Sequence, residues 1–303
     1  MHQAPSDDGS QPFVVHSTAR LVEACARVRL PFEPREWQIE FRETLRQSIA
    51  KLDTASDELL HASYASSSRE ACDAENALIY NVGASCFAHP ARYGLMFERG
   101  LVSVPDPGRD RSVGDHHYRY APAVLDAEPR HWRTGRSLAQ IETLGCGALT
   151  ASTKVARVWQ AVKSGVLHVS TPIPTLPEFF GVTLVLNCPG GAAVNPAAVL
   201  KPLFDGVISA LHHHDDRASV DVVAARIAAS GGLDRRETAR LLSESETALF
   251  GGRRLAWPWR DGIQWNPADD RCMVGRLFLS SLPALRPWAF EADIYEIDPV
   301  EAI

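Results

Sequence analysis

Several common signatures are missing from this 303-residue sequence. None of the six cysteines forms a Cys-x-x-Cys pair, which argues against a zinc knuckle or a thioredoxin-type site. The sequence contains no Gly-x-Ser-x-Gly elbow, no P-loop and no Gly-x-Gly-x-x-Gly fingerprint. A hydrolase of the serine-elbow type and a nucleotide cofactor therefore have no support in the sequence.

Long apolar runs and an excess of basic residues are also lacking. No stretch reaches the roughly eighteen apolar residues of a membrane span, and the polar N-terminus lacks a signal-peptide pattern. Because the scattered cysteines are typical of reduced core thiols, we expect a cytoplasmic protein without membrane contact. The net charge of −6 gives no general attraction to nucleic acid, so such a partner would need a local basic patch.

The composition is that of a folded globular protein, with 45% hydrophobic and 22% charged residues. Strand and helix patterns alternate along the chain, which predicts a mixed α/β (α+β) fold with helices packed on mixed sheets. We expect a disordered tail at 1–12 and two halves, 13–150 and 151–303, divided near a Gly-Cys-Gly segment. The second half carries an inserted helical hairpin at 215–250.

Three local patterns in the first half are informative. The segments 93–104 and 116–125 look like strands, and the Pro-Gly turn between them predicts a long hairpin. The Ser- and Ala-rich segment 53–71 favours partial helix. The apolar run 77–82 fits either a strand or the first turns of a buried helix, and periodicity does not decide over six residues.

Two acidic sites stand out in the second half. Asn195 and Pro196 are a helix-entry pair, and Pro202 interrupts this helix, so we expect it to restart there with Asp205 beside its apolar stripe. Downstream, Asp269 and Asp270 form a turn before a strand that begins near residue 272. Oxygen ligands from a helix and a strand end would suit a hard divalent cation, although a solvated turn has the same appearance.

These motifs resemble a known family. The pattern Lys201-Pro202-x-x-Asp205-x-x-Ile208-x-Ala210-Leu211, followed by an Asp-Asp pair before a strand, is similar to the signature of the RusA-like Holliday junction resolvases. The resemblance implies a small mixed α/β fold that works as a homodimer and binds magnesium through carboxylates. Asp205, Asp269 and Asp270 match the family positions. Leu203 and Gly206 depart from an expected Asp and Asn, and the helical hairpin lengthens the interval between the acidic sites.

The first half contains a partial echo of the same signature. Asp73-x-Glu75-Asn76-x-Leu78 has the acidic-x-acidic-Asn form that the second half lacks. One interpretation is a duplicated chain that forms an internal pseudo-dimer, with part of the site in each half. Asp73 and Glu75 are therefore further candidate metal ligands.

The chemistry that fits clustered carboxylates is Mg²⁺-dependent phosphodiester hydrolysis, as in a nuclease. Asp205, Asp269 and Asp270 would be ligands, and Lys201 or Arg271 would neutralise developing negative charge. A basic cluster would position the nucleic-acid backbone, unless it is an exposed loop held to the core by its tryptophan. That cluster consists of Arg130, Arg133 and Arg136 around Trp132.

Other functions stay open. The chain would be a non-catalytic binding or assembly protein if the tryptophans of 257–265 contact a partner. A nucleophilic hydrolase would need a pairing such as Cys86 with His89, or Cys146. The run 212–214 of three histidines fits a helix end better than a shared metal. The sequence leaves the natural substrate and the oligomeric state undetermined.

Overall fold

A computed structural model describes residues 11–66, 72–101, 114–142, 146–170, 177–189, 194–231, 234–282 and 288–300. The expected tail at 1–12 lies almost wholly outside these residues. The strands are β1 (Phe13–Ser17), β2 (Val22–Ala26), β3 (Glu58–Ala65), β4 (Gly94–Gly100), β5 (His116–Val124), β6 (Trp132–Glu142), β7 (Val166–Val169), β8 (Phe180–Pro189), β9 (His213–His214), β10 (Gly252–Arg253), β11 (Ala256–Trp259), β12 (Gly262–Trp265), β13 (Cys272–Leu282) and β14 (Ala289–Pro299). The helices are α1 (Trp37–Ile49), α2 (Val155–Lys163), α3 (Pro196–Ala210), α4 (Val220–Gly231) and α5 (Arg235–Ser243).

The expected mixed α+β fold is confirmed. Ten strands form one mixed sheet in the order β1-β2-β5-β3-β4-β13-β8-β14-β6-β7, and two small two-stranded sheets lie beside it. No helix in the described ranges combines the length and the apolar character needed to cross a membrane.

The order of parallel and antiparallel strand pairings is the same on both sides of the centre of the large sheet. The central pair β4–β13 is antiparallel. Moving outward, the first side has one parallel pairing, β4–β3, followed by antiparallel pairings to β5, β2 and β1. The second side repeats this pattern from β13 through β8, β14 and β6 to β7. A duplicated chain would give such an approximate two-fold arrangement.

The two sides differ in the chain order of their two outermost strands. On the first side the edge strand β1 precedes β2, whereas on the second side β6 precedes the edge strand β7. The chain passes from one side of the sheet to the other between β5 and β6. This changeover comes earlier than the division at residue 150 suggested by the sequence.

Helices α1 and α3 pack on the same face of the sheet. Phe41 of α1 meets Tyr118 of β5 at 5.6 Å between ring centroids, and Phe204 of α3 meets Phe97 of β4 at 5.0 Å. The glycine at 275 permits this close packing, because a Cβ atom there would lie 2.1 Å from the Phe97 ring. This contact sets the distance between α3 and the sheet, and it therefore also sets the position of the polar side chains along the edge of α3.

The predicted hairpin between 93–104 and 116–125 is wrong. Both strands exist, but β3 lies between them and pairs with β4 in parallel and with β5 in antiparallel orientation. The Pro-Gly turn that suggested the hairpin lies outside the described residues. The prediction of partial helix at 53–71 is also wrong, because 58–65 is the strand β3. Seven of its eight residues are buried, which leaves no exposed face.

The expected restart of the helix at Pro202 is wrong as well. Helix α3 runs without a break from Pro196 to Ala210, and Asn195 caps it by accepting a hydrogen bond from the Ala197 amide. A proline inside a helix removes one hydrogen bond and costs about 3 kcal/mol. Burial of the apolar side chains around Pro202, including Leu203 and Phe204, offsets that cost.

The helical hairpin is present as α4 and α5, which pack on each other. It is shorter than expected, because α5 ends at Ser243 and the following residues form turns. The Glu244 carboxylate accepts a hydrogen bond from the Thr247 amide there at 3.0 Å. The apolar run at 77–82 begins as a π-helical turn, Asn76–Tyr80, so the helical alternative is correct. Helix α3 ends directly before the histidine run, as expected, and His213 and His214 then form the short strand β9.

Candidate metal centre

Three carboxylates meet at one edge of the large sheet. Strand β3 ends at this edge and the chain then supplies Asp73 and Glu75, while Asp269 lies in the 3₁₀ turn that immediately precedes β13. Strands β3 and β13 both pair with β4, one on each side. One carboxylate oxygen from each residue lies within 4.8 Å of those of the other two. This is the one such group of possible metal ligands in the part of the chain that the structure describes.

Lys201 reaches into this cluster from α3. Its Nζ atom lies 3.0 Å from Oε1 of Glu75, 3.2 Å from the Asp205 carboxylate and 3.8 Å from Oδ2 of Asp269. Asp205 is one helical turn beyond Lys201, so the two side chains share the same edge of the helix. Three carboxylates thus contact a single ammonium group, and a fourth, that of Asp73, lies within 4.8 Å of two of them, so the site keeps an excess of negative charge.

The local field disfavours ionisation of the acids. Burial raises the pKa of Glu75 to about 7, and the neighbouring charges of Asp205 and Asp73 add to the rise against the opposing effect of Lys201. Burial likewise raises the pKa of Asp205 and that of Asp269 to about 7. Burial opposes the charge on Lys201, but the surrounding acids outweigh it and raise the Lys201 pKa above its ordinary value.

One member of the cluster, Asp73, lines a cavity of about 750 Å³. Asp73, Lys201 and Asp270 line it on the acidic side, and Arg29 and His116 also contribute to its wall. A second cavity of about 670 Å³ shares Lys201 and Tyr80 with the first. A ligand larger than a single ion therefore has room on both sides of Lys201.

The structure brings together only some of the sequence-predicted ligands. Asp73, Glu75 and Asp269 form the cluster. Asp205 is adjacent to it but is buried against Lys201. Asp270 lines the larger cavity and lies outside the group of three. The partial echo in the first half thus supplies two of the three ligands, whereas the motif on α3 supplies the cation that faces them.

Arg271 does not share the position of Lys201. Its Nε atom donates a hydrogen bond to the Glu178 carbonyl at 2.8 Å, and its guanidinium also donates to the carbonyl of Pro177. The same guanidinium lies 6.0 Å from the centroid of the Phe250 ring. These contacts hold Arg271 to the segment before β8, and Lys201 is the cation that lies among the carboxylates.

The predicted basic patch is built around a buried tryptophan. The Trp132 indole donates a hydrogen bond from Nε1 to the Arg99 carbonyl at 2.7 Å, and its ring packs with Val274. Val274 precedes Gly275 on β13, so Trp132 lies on the sheet face opposite α3. Arg136 pairs with Glu296 at 2.9 Å, while Arg130 and Arg133 are exposed. None of these residues lines either of the two cavities described above.

The alternative nucleophiles are in unreactive surroundings. Burial raises the pKa of Cys86 to about 12, and its thiol donates to the Gly83 carbonyl at 3.2 Å. Burial also raises the pKa of Cys146 to about 11. A thiol with such a pKa is protonated near neutral pH and is a poor nucleophile.

The sequence analysis missed two aromatic residues of the site. Phe32 and Tyr80 line the larger cavity beside the acids. No spacing links them in the sequence, because their approach depends on the contact between the segment after β2 and the turn after β3.

Comparison with known proteins gives no match: no family model fits the chain, and no curated protein or solved structure is significantly similar to it. The resemblance to RusA-like resolvases therefore rests on the motifs themselves and stays a prediction.

Proposed function

We propose that this chain is a metal-dependent phosphodiester hydrolase whose divalent cation, expected to be Mg²⁺, is held by Asp73, Glu75 and Asp269. The observation that carries the proposal is the convergence of three carboxylates, with oxygens within 4.8 Å of one another, beside a cavity. All three offer hard oxygen ligands, which Mg²⁺ prefers. The excess of negative charge in buried surroundings gives a cation a strong reason to bind there.

A bound Mg²⁺ would supply Lewis acidity toward a phosphoryl oxygen and would lower the pKa of a water ligand. The protein's own contribution is charge placement. Lys201 holds a positive charge at the wall of the cavity, where a phosphate oxygen of a substrate can approach it. Asp205 binds the same ammonium group from the other side and is a positioning residue for Lys201.

Nucleic acid is the proposed substrate class. Its backbone would enter the larger cavity, whose wall includes Arg29 and His116 as well as Lys201. Arg130 and Arg133 are exposed near the start of β6, at the sheet edge that also carries the carboxylates, and would contact a longer substrate. The cytoplasm, where such a substrate is present, is the proposed location.

The test is cleavage of labelled single-stranded, duplex and four-way-junction DNA, and of RNA, by the full chain with Mg²⁺ or Mn²⁺. We expect cleavage of at least one substrate, and its loss with EDTA. Asp73→Asn, Glu75→Gln and Asp269→Asn should each lower the rate by 100-fold or more. Asp221→Asn, an exposed carboxylate on α4, is the matched control and should leave the rate unchanged.

Metal-dependent cleavage that survives all three cluster substitutions would contradict the proposal. The competing function is a binding or assembly protein without chemistry, which the exposure of Trp259 favours. Thermal denaturation separates the two: Mg²⁺ should raise the melting temperature of the wild type but not of Asp269→Asn. A wild type that neither responds to Mg²⁺ nor cleaves any substrate would favour the assembly protein.

A further inference from the structure

Two aromatic rings stand exposed at the mouth of the larger cavity. Phe32 is 58% exposed and Tyr80 is 49% exposed, and both line the cavity. Their rings are nearly parallel, with centroids 5.3 Å apart and an interplanar angle of 9°. Phe32 is the most exposed large apolar side chain in the described part of the protein. Side chains of this kind add little to the core and are typical of contact surfaces.

Hydrogen bonds hold the two segments that carry the rings to each other and to the core. Leu30, two residues before Phe32, is fully buried, and its amide donates a hydrogen bond to the Tyr118 hydroxyl at 2.8 Å. The Leu30 carbonyl accepts a hydrogen bond at 2.8 Å from the side chain of Asn81, the residue after Tyr80. The two segments are thus joined next to the rings, so a ligand that stacks on them meets a preorganised surface.

The surroundings define the chemistry of the ligand. The cavity wall that includes the aromatic pair also carries Lys201, Asp73 and Asp270, together with Arg29 and His116. A flat ring joined to an anionic phosphate would match this combination. Tyr80 also lines the second cavity, which continues past Lys201. Two cavities that share Tyr80 and Lys201 suit an extended chain better than a mononucleotide.

We propose that Phe32 and Tyr80 form a stacking platform for an unpaired base of a nucleic-acid chain whose backbone lies at the carboxylate cluster. This inference rests on the proposed function and deepens it by naming the substrate class as single-stranded or locally unpaired nucleic acid. A base inside a duplex is stacked on its neighbours and would have to leave the helix to reach the rings. Aromatic stacking is sequence-tolerant, since every base has a flat face.

The experiment measures equilibrium binding of the full chain to a fluorescent 20-nucleotide single strand, to the same strand in duplex form, and to the strand with a central abasic run. Binding is measured in the presence of EDTA, which removes the divalent cation that cleavage requires, whichever residues hold it. We expect at least tenfold tighter binding of the single strand than of the duplex. Phe32→Ala and Tyr80→Ala should each weaken single-strand binding by about 5- to 150-fold, and the abasic run should have a similar effect.

Trp259→Ala is the matched control, because Trp259 is 57% exposed but lines neither of the two cavities. Its single-strand affinity should equal that of the parent protein. Phe32→Trp should retain binding, since a larger ring still stacks. A 2-aminopurine in the strand should be quenched by the parent protein and not by the double variant Phe32→Ala/Tyr80→Ala. Both side chains are exposed, so all variants should keep the parent melting temperature.

Equal affinity of the parent and the two alanine variants, equal binding of duplex and single strand, or no binding of the single strand would each overturn the inference. The result is separable from that for the proposed function. If the cluster substitutions abolish metal-dependent cleavage while the ring substitutions change neither binding nor quenching, the platform alone is refuted. If the ring substitutions weaken binding but the cluster substitutions leave cleavage intact, the platform stands and the metal centre is refuted.

Discussion

The affinity of this protein for Mg²⁺ should rise steeply with pH. The pKa values of Glu75 and Asp269 are both raised to about 7, mainly by burial. Each must lose its proton to become a metal ligand, so protons compete with the cation below pH 7. Lys201 keeps its positive charge throughout this range, because its pKa is raised above the ordinary value. The competition is therefore between Mg²⁺ and protons on the acids.

The size of the effect follows from these pKa values. At pH 6 a carboxyl group with a pKa of about 7 is ionised in about one molecule in eleven, and at pH 8 in about ten of eleven. If both acids must ionise, the apparent Kd for Mg²⁺ should fall by about 100-fold between pH 6 and pH 8. That ratio corresponds to about 3 kcal/mol of binding free energy. Because the acids interact, the two pKa values belong to the cluster as a whole.

Isothermal titration calorimetry measures this directly. Titrations in buffers of different ionisation enthalpy should show release of between one and two protons per Mg²⁺ at pH 6 and almost none at pH 8. Glu75→Gln should bind more weakly and release fewer protons, whereas Asp221→Asn should behave as the wild type. The reasoning is refuted if the Kd is the same at both pH values, or if no proton is released at pH 6.

Three further outcomes are expected. A raised carboxyl pKa makes the folded state bind more protons than the unfolded state, so the melting temperature of the metal-free protein should fall from pH 5 to pH 8. Glu75→Gln should make the melting temperature less dependent on pH. An unchanged dependence in this variant would count against the raised pKa of Glu75. Glu98→Ala should lower the free energy of unfolding in urea by about 3–5 kcal/mol, since it removes the buried carboxylate that lies 2.7 Å from Nε2 of His61; a loss below 1 kcal/mol would contradict this. Gly275→Ala should prevent stable folding, because the added Cβ would lie 2.1 Å from a ring atom of Phe97 on β4. Gly262→Ala should be tolerated, because the nearest atom to its Cβ would be 3.8 Å away. Equal melting temperatures of the two variants would contradict this prediction.

The sequence predicted those elements whose pattern is local. The strands β8 and β14 alternate between buried and less buried side chains over most of their length, and this period of two is visible in the sequence. Helix α3 was predicted at its start by the Asn-Pro entry pair. Its continuation through Pro202 depends on tertiary packing, which a local rule about proline does not include.

The errors concern non-local pairing. Strand β3 was missed because it is buried on both faces, so its residues do not alternate between apolar and polar, and it contains no β-branched side chain. The hairpin between β4 and β5 was predicted from the turn residues between them. Turn residues do not indicate whether a third strand lies between the two strands in the sheet. Strand order is a property of the whole sheet, and no window of sequence contains it.

The sequence identified the residues of the candidate site, but it did not predict which of the acids lie together as the three-carboxylate cluster. Asp73, Glu75, Asp269 and Lys201 were all singled out as chemistry-bearing residues, and the structure places them together. The sequence favoured Asp205 as a principal ligand, because its motif resembles that of a known family. Because β3 and β13 flank β4, Asp73, Glu75 and Asp269 form the cluster, while Asp205 lies on α3 and contacts the cluster's Lys201.

The most direct test of the metal centre is anomalous diffraction from crystals of the full chain grown with Mn²⁺ as a substitute for Mg²⁺. We expect a strong anomalous peak at a position where Mn²⁺ would be bonded to carboxylate oxygens of Asp73, Glu75 and Asp269. Absence of a peak there at saturating Mn²⁺, or a peak only elsewhere in the protein, would contradict it.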